Sequence, residues 1–209
     1  MIQQLDTDLL LWLNGFHNLF FDNFMWNFTQ SSTWIPLYIS LIACLFYRFK
    51  WSALWLLFAV GLAVGLSDFV ASSVFKPLVA RLRPSHVPEL QEVLHIVNEY
   101  RGGQFGFMSS HAANSFALVT LVCLCVRTRA LSAMLVVWAA LNAYSRIYLG
   151  VHYPGDVICG AALGGLTAYL LWLLLKLKID FNQKSEAYSG LSGLVVFGVC
   201  LCTILYCAM

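Results

Sequence analysis

The sequence predicts an all-α membrane protein, a bundle of six transmembrane helices with an amphipathic N-terminal helix at the membrane interface. Of its 209 residues, 60% are hydrophobic and 11% are charged, whereas a soluble domain is about 45–50% apolar and about 25% charged. The apolar residues fall into six segments, several of them near the roughly 20 residues that cross a bilayer. We expect one domain over residues 1–209. The net charge of +2 is too small to indicate a nucleic-acid partner.

Residues 1–30 alternate apolar clusters with acidic and amide side chains. Leu9 to Leu13 and Leu19 to Phe21 are separated by polar positions, which include Asp6, Asp8, Asn14 and Asp22. This pattern predicts one or two helices in the membrane interface, although the acidic face is unusual for a lipid-surface helix. The alternative is a first span, which the interruptions at Asn14–Gly15 and Asp22 disfavour.

The six apolar segments that follow are residues 33–47, 51–75, 110–126, 130–144, 154–175 and 188–207. Alternate turns between them are basic, and the positive-inside rule places those turns in the cytoplasm. They contain Arg48 and Lys50, Arg127 and Arg129, and Lys176, Lys178 and Lys184. The long 76–109 loop and the turn at 145–156 then face the periplasm or cell exterior of an inner membrane. Residues 89–97 could form a short interfacial helix in that loop, and Gly160 and Gly164 suit close helix packing.

The seven cysteines all lie within apolar segments, and none shows zinc-ligand spacing with histidine. They are Cys44, Cys123, Cys125, Cys159, Cys200, Cys202 and Cys207. We predict neither a disulfide framework nor a metal or other cofactor. The sequence does not indicate an oligomeric state.

Three polar clusters are predicted on the outer side of the membrane. Lys76 and Arg83 belong to the first, and Ser109, Ser110 and His111 form the second at the start of a span. The third contains Arg146, His152 and Asp156. Three cations, hydroxyl groups and free amides at a helix start would bind a phosphoryl group.

The third cluster also suggests a nucleophile. Pro154 is suited to the first turn of a helix, and Asp156 in that turn could accept a hydrogen bond from one ring nitrogen of His152. The other nitrogen would then be free to attack. Taken singly, these residues have plainer interpretations, since Lys76 and Arg83 could anchor lipid headgroups, His111 could cap a helix and Arg146 could snorkel.

Together, the patterns K-x6-R-P, S-x-H and S-R-x5-H-x3-D resemble the signature of the type 2 phosphatidic acid phosphatase and vanadium haloperoxidase superfamily. The resemblance implies that His152 forms a phosphohistidine, that Asp156 orients it and that His111 protonates the leaving oxygen. It assigns phosphoryl binding to Lys76, Arg83, Ser109, Ser110 and Arg146. The chain has Ser110 where the family commonly has glycine, and a serine there can still offer its backbone N–H.

The resemblance therefore implies a membrane lipid phosphatase that needs no metal, with undecaprenyl diphosphate ranked first as substrate. The alternatives are lipid A phosphate, phosphatidylglycerophosphate and phosphatidate. Alternatives from other classes are a vanadate-dependent haloperoxidase and a non-catalytic lipid-binding or transport protein.

Several polar residues remain outside the signature. Arg81 could contact the substrate or only the headgroup region, and His86, His95 and Tyr100 could help to select a headgroup, with three glutamates of the same loop (Glu89, Glu92 and Glu99). Asp68 lies inside a predicted span, and we expect it to make a structural hydrogen bond.

Overall fold

The computed structural model describes residues 1–179 and 189–208, and within them the chain is helical with no strands, as predicted. The two N-terminal helices precede a bundle of longer apolar helices. The α-helices are α1 (Ile2–Asn14), α2 (Leu19–Thr29), α3 (Ile35–Phe49), α4 (Ala53–Phe69), α5 (Lys76–Val79), α6 (Ser110–Val126), α7 (Arg129–Tyr148), α8 (Pro154–Leu175) and α9 (Ser189–Cys207).

Helix length alone supports fewer membrane crossings than the apolar pattern of the sequence predicts. Three runs of the described residues are long and apolar enough to cross a membrane, namely Ser31–Val79, Arg129–Tyr148 and Pro154–Leu175. The first run has 49 residues and contains both α3 and α4, which separate at Lys50, where φ is 49°. Helix α6 and the Val195–Cys207 part of α9 are apolar but shorter. The structure thus has several apolar helices, while the predicted count of six crossings is not established by length.

Helix α6 lies at the centre of the bundle, where it packs against α4, α7 and α8. The approach of α8 is close because Gly160 and Gly164 face the α6 backbone. A Cβ atom on Gly160 would overlap the carbonyl oxygen of Ser109, and one on Gly164 would overlap that of Ala113. The glycine pair therefore has the packing role that its spacing predicts.

The 76–109 loop does not contain the predicted helix over residues 89–97. A 3-10 turn at Pro88–Leu90 is followed by irregular chain. The backbone N–H of His95 donates to the side-chain oxygen of Asn14 at 2.8 Å, outside any helical ladder. Leu90 and Leu94 are each buried, so packing against the rest of the protein replaces local helix formation here.

The first two basic turns lie at the same end of the bundle. The Arg48 guanidinium donates to the Thr128 hydroxyl at 3.5 Å, which joins the end of α3 to the start of α7. Of the third basic turn, Lys176 and Lys178 are described, whereas Lys184 lies outside the described residues.

Candidate active site

The three predicted clusters converge at the start of α6. The Lys76 ammonium donates to the Ser110 hydroxyl at 3.0 Å, which joins the first cluster to the second. Ser109 is the N-cap of α6, and its backbone N–H donates to the Asp156 carbonyl at 3.0 Å, which joins the second cluster to the third. Residues that are far apart in sequence therefore surround one space.

Arg83 is held in the loop with part of its guanidinium free. Its Nε donates to the Phe105 carbonyl at 3.1 Å, whereas its buried Nη1 has no hydrogen-bond partner. Gly102 has a φ of +65°, and a Cβ there would overlap Nη1 of Arg83, so glycine leaves room for the guanidinium. Burial, followed by the nearby Arg146, lowers the pKa of Arg83, and an anion bound here would relieve both effects.

Arg146 is the most enclosed of the three cations, with 2% of its surface exposed. One amino group donates to the Thr29 hydroxyl at 2.8 Å and the other to the Tyr100 hydroxyl at 3.2 Å. Its Nε has no partner. Tyr100 was expected among the headgroup-selecting residues of the loop, and the structure instead puts it against a predicted phosphoryl-binding side chain.

The predicted hydrogen bond between His152 and Asp156 is not formed. His152 Nδ1 lies 3.5 Å from Asp156 Oδ2 and has no hydrogen-bond partner. That oxygen instead accepts from the backbone N–H of Tyr153 at 3.0 Å, because Asp156 caps the first turn of α8. Such bonds commonly tighten only when substrate is bound. Pro154 begins the helix as predicted.

The surroundings of His152 keep its imidazole neutral. The residue is 1% exposed, and burial lowers its pKa well below 6.5, with Arg83, Arg146 and Lys76 lowering it further. A neutral imidazole is the nucleophilic form. His111 interacts electrostatically with the same three cations and with His152. All eight residues predicted for the site thus lie together.

Sequence reasoning missed the residues that hold this set in place. Arg81 was expected to contact the substrate or only the headgroup region. Its guanidinium instead donates to Asp156 Oδ1 at 3.1 Å and forms an ion pair with Asp6 at 2.7 Å. Thr29 supports Arg146 from the end of α2. The acidic face of the N-terminal helix, which is atypical of lipid-surface helices, was the available signal for Asp6.

A mostly apolar cavity of about 370 Å³ begins at His111 and lies between α3, α4, α6 and α7. Its lining includes Leu45, Leu57 and Val122, and also the side chains of Asn114, Asn142 and Trp138. The buried Oδ1 atoms of both asparagines and Nε1 of Trp138 have no hydrogen-bond partner. The Asn114 amide donates to Asp68 at 3.1 Å, which confirms the structural bond expected for Asp68.

The described residues contain no group of three or more His, Cys, Asp or Glu side chains placed to hold a metal ion. All seven cysteines are free thiols. The charged groups that surround His152 are instead Lys76, Arg83 and Arg146. This arrangement can bind a tetrahedral anion and present an imidazole nucleophile to it.

Comparison with known proteins gives consistent results. The family model of the PAP2 superfamily matches residues 52–180. The chain is 45% identical to the lipid A 4′-phosphatase of Bacteroides thetaiotaomicron, over 83% of this chain and 78% of the relative. It is 35% identical to the lipid A 4′-phosphatase of Porphyromonas gingivalis, over 82% and 73% of the two chains. The crystal structure of Aquifex aeolicus LpxE superposes with a TM-score of 0.63 at 26% identity, and covers 80% of this chain and 94% of that one.

Proposed function

The chain belongs to the PAP2 superfamily, and from this premise we propose that it removes the 4′-phosphate of lipid A. It is an enzyme that hydrolyses phosphate esters of membrane lipids. The choice of lipid A depends on one observation, the 45% identity to a lipid A 4′-phosphatase over most of both chains. The earlier ranking of undecaprenyl diphosphate above lipid A is therefore reversed. That ranking came from family analogy and not from any residue of the signature.

The apolar cavity supports a lipid with polar groups close to its phosphate. Asn142 lies one helical turn from Arg146 on α7, and Asn114 lies about one turn from His111 on α6. Their unpartnered oxygens would suit the hydroxyl or amide groups of an acylated sugar, whereas a polyprenyl chain offers none. Along α6 the cavity extends from His111 to Val122, roughly 16 Å at 1.5 Å per residue, which is long enough for much of an acyl chain.

In the proposed mechanism, Nε2 of His152 attacks phosphorus, because Nδ1 faces Asp156. The bond between phosphorus and the lipid oxygen breaks as His111 donates a proton to that oxygen. Lys76, Arg83, Arg146, Ser109 and Ser110 stabilise the charge on the phosphoryl oxygens. A water molecule then gives a proton to His111 and attacks the phosphohistidine, which releases inorganic phosphate.

We further propose that α3, α4, α6, α7, α8 and α9 each cross the inner membrane as one domain, with α1 and α2 at the interface. The basic turns would lie in the cytoplasm and the site at the periplasmic face. Asp156 and Ser109, at the starts of α8 and α6, are bonded to each other. At the other end of α6, Arg48 near the end of α3 is bonded to Thr128 just after α6. These two bonds support opposite locations for the site and the basic turns.

Phosphate release from four lipids tests this function. Purified protein in EDTA is assayed separately with lipid A, undecaprenyl diphosphate, phosphatidylglycerophosphate and phosphatidate. We expect lipid A to be hydrolysed fastest. The His152→Ala variant should release no phosphate, whereas His17→Ala, which changes an exposed histidine, should retain activity. Faster turnover of undecaprenyl diphosphate would contradict the substrate. Activity that is lost in EDTA and restored by magnesium would contradict the metal-free mechanism.

A further inference from the structure

An ion-pair network extends from α1 to the carboxylate beside the nucleophile. Asp6 is on α1, and its Oδ2 lies 2.7 Å from Nη2 of Arg81. Nη1 of the same guanidinium lies 3.1 Å from Oδ1 of Asp156. The planar guanidinium therefore joins two carboxylates, one at the N-terminal helix and one at the reaction centre.

The two ends of this network are held by further contacts. Oδ1 of Asp6 accepts the backbone N–H of Gly155 at 2.8 Å, in the first turn of α8. Arg81 also lies over the ring of Tyr153, with its Cζ 3.7 Å from the ring centroid. Since a cation above an aromatic face is attracted to it, Arg81 is fixed from two sides besides its bond to Asp156.

Asp6 and Arg81 determine how the Asp156 carboxylate can turn. With Oδ1 bonded to Arg81 and Oδ2 to the Tyr153 N–H, Oδ2 is left facing Nδ1 of His152 at 3.5 Å. Without Asp6, Arg81 would be free to neutralise Asp156 more completely and to draw it away from His152. An Asp156 carboxylate that is neutralised and displaced in this way would polarise the His152 imidazole less.

We propose that Asp6 is a positioning residue for catalysis, acting through Arg81 to hold the Asp156 carboxylate against His152. The residue lies outside residues 52–180, the part that matches the family model. Thr29, also outside that part, supports Arg146 in a comparable way. The N-terminal helices of this chain would thus complete the site and not only lie on the membrane.

The primary test compares two carboxylates of α1. Asp6→Asn removes the charge with little change in shape. Asp8→Asn is the control, because Asp8 is exposed and, within the part of the chain that the structure describes, its side chain bonds only to Gln4. We expect Asp6→Asn to lower kcat by about 10- to 100-fold, the scale of a small misplacement of a catalytic group, with KM unchanged. A kcat equal to that of Asp8→Asn would overturn the proposal.

A double-mutant cycle tests whether Asp6 acts through Arg81. In an Arg81→Ala background, Asp6→Asn should have no further effect on kcat, because its path to Asp156 is already broken. Added guanidinium ion should partly restore the kcat of Arg81→Ala. It should not restore the kcat of the Asp6→Asn/Arg81→Ala double variant. Independent, multiplying losses would show that Asp6 acts by another route, and would overturn the proposal even if both single variants are slow.

Gly155→Ala provides a third variant that leaves every charge in place. A Cβ on Gly155 would lie 2.9 Å from Oδ2 of Asp6, so Asp6 must move, and kcat should fall in the same direction. The inference rests on the proposed function only in requiring phosphate release, since each result is a ratio of rates on one substrate. A failure to act on lipid A would leave these ratios measurable on whichever lipid phosphate is hydrolysed.

Discussion

The cations around His152 act on its imidazole as well as on the phosphate that the site is proposed to bind. Burial and the three cations around it lower the pKa of His152 and hold its imidazole in the neutral form. In the proposed function the same cations attract a phosphate. In the proposed mechanism a cationic pocket therefore acts on both the substrate and the nucleophile. Once the phosphate is bound, it offsets those charges, which would allow His152 to carry the positive charge of a phosphohistidine.

The burial of His152 predicts a pH dependence of stability. Its pKa is lower in the folded than in the unfolded chain, so below about pH 6.5 the unfolded chain binds a proton that the folded chain does not. The contribution of His152 to the free energy of unfolding is therefore fully present above about pH 6.5. It is lost as the pH falls, by up to about 1.4 kcal/mol per pH unit.

The measurement is denaturant unfolding in detergent between pH 5 and pH 7.5, with His152→Asn as the comparison. The free energy of unfolding of the wild type should fall more steeply on acidification than that of the variant. Parallel curves would mean that the folded protein takes up the proton at His152 as readily as the unfolded chain does.

Helix α8 shows how an element fixes the position of the chemistry. Its first turn contains Asp156, while Gly160 and Gly164 bring its backbone against α6 beneath Ser109 and Ala113. The distance between His111 on α6 and His152 before α8 therefore depends on two residues that have no side chain.

Gly164→Ala should destabilise the bundle. Its Cβ would overlap the Ala113 carbonyl, and overpacking of this kind costs about 1–3 kcal/mol. Gly65→Ala is the matched control, since a Cβ there meets nothing within 4 Å and alanine favours a helix by about 1 kcal/mol. Melting in detergent should move to lower temperature for Gly164→Ala and not for Gly65→Ala. Equal shifts in both variants would contradict the close contact.

At the scale of the whole molecule, the cavity connects the site to the apolar interior. Its lining spans four helices, and Val60 of α4 is one of its wall residues. Val60→Trp would fill part of the space, so hydrolysis of a lipid phosphate with long acyl chains should lose kcat/KM. A water-soluble phosphate monoester without chains should be hydrolysed as before.

Leu62→Trp is the control, because Leu62 is on the same helix, 38% exposed and not part of the cavity lining. The measurement is the ratio of kcat/KM for the long-chain and chain-free substrates in each variant. A ratio unchanged by Val60→Trp would mean that the acyl chains bind elsewhere.

The sequence predicted the helical class and the eight candidate site residues that the fold brings together, but it did not predict the residues that support them. Apolar segments and the K-x6-R-P, S-x-H and S-R-x5-H-x3-D patterns are local in the chain, so they can be identified without tertiary structure. The bond from Asp6 to Gly155 and that from Thr29 to Arg146 are not local, since nothing near Asp6 or Thr29 indicates its partner. The prediction of a helix over residues 89–97 was wrong for the same reason. The backbone N–H of His95 donates to the side chain of Asn14, which is distant in sequence.

The bond between Asp6 and Gly155 also sets an order in time. The two residues are separated by 149 positions, so a ribosome that adds about 5–20 residues per second makes Asp6 roughly 7–30 s before Gly155. During that interval Asp6 lacks its partner in the first turn of α8. The proposed support of Asp156 and His152 by Asp6 can therefore be completed only after the first turn of α8 has been synthesised.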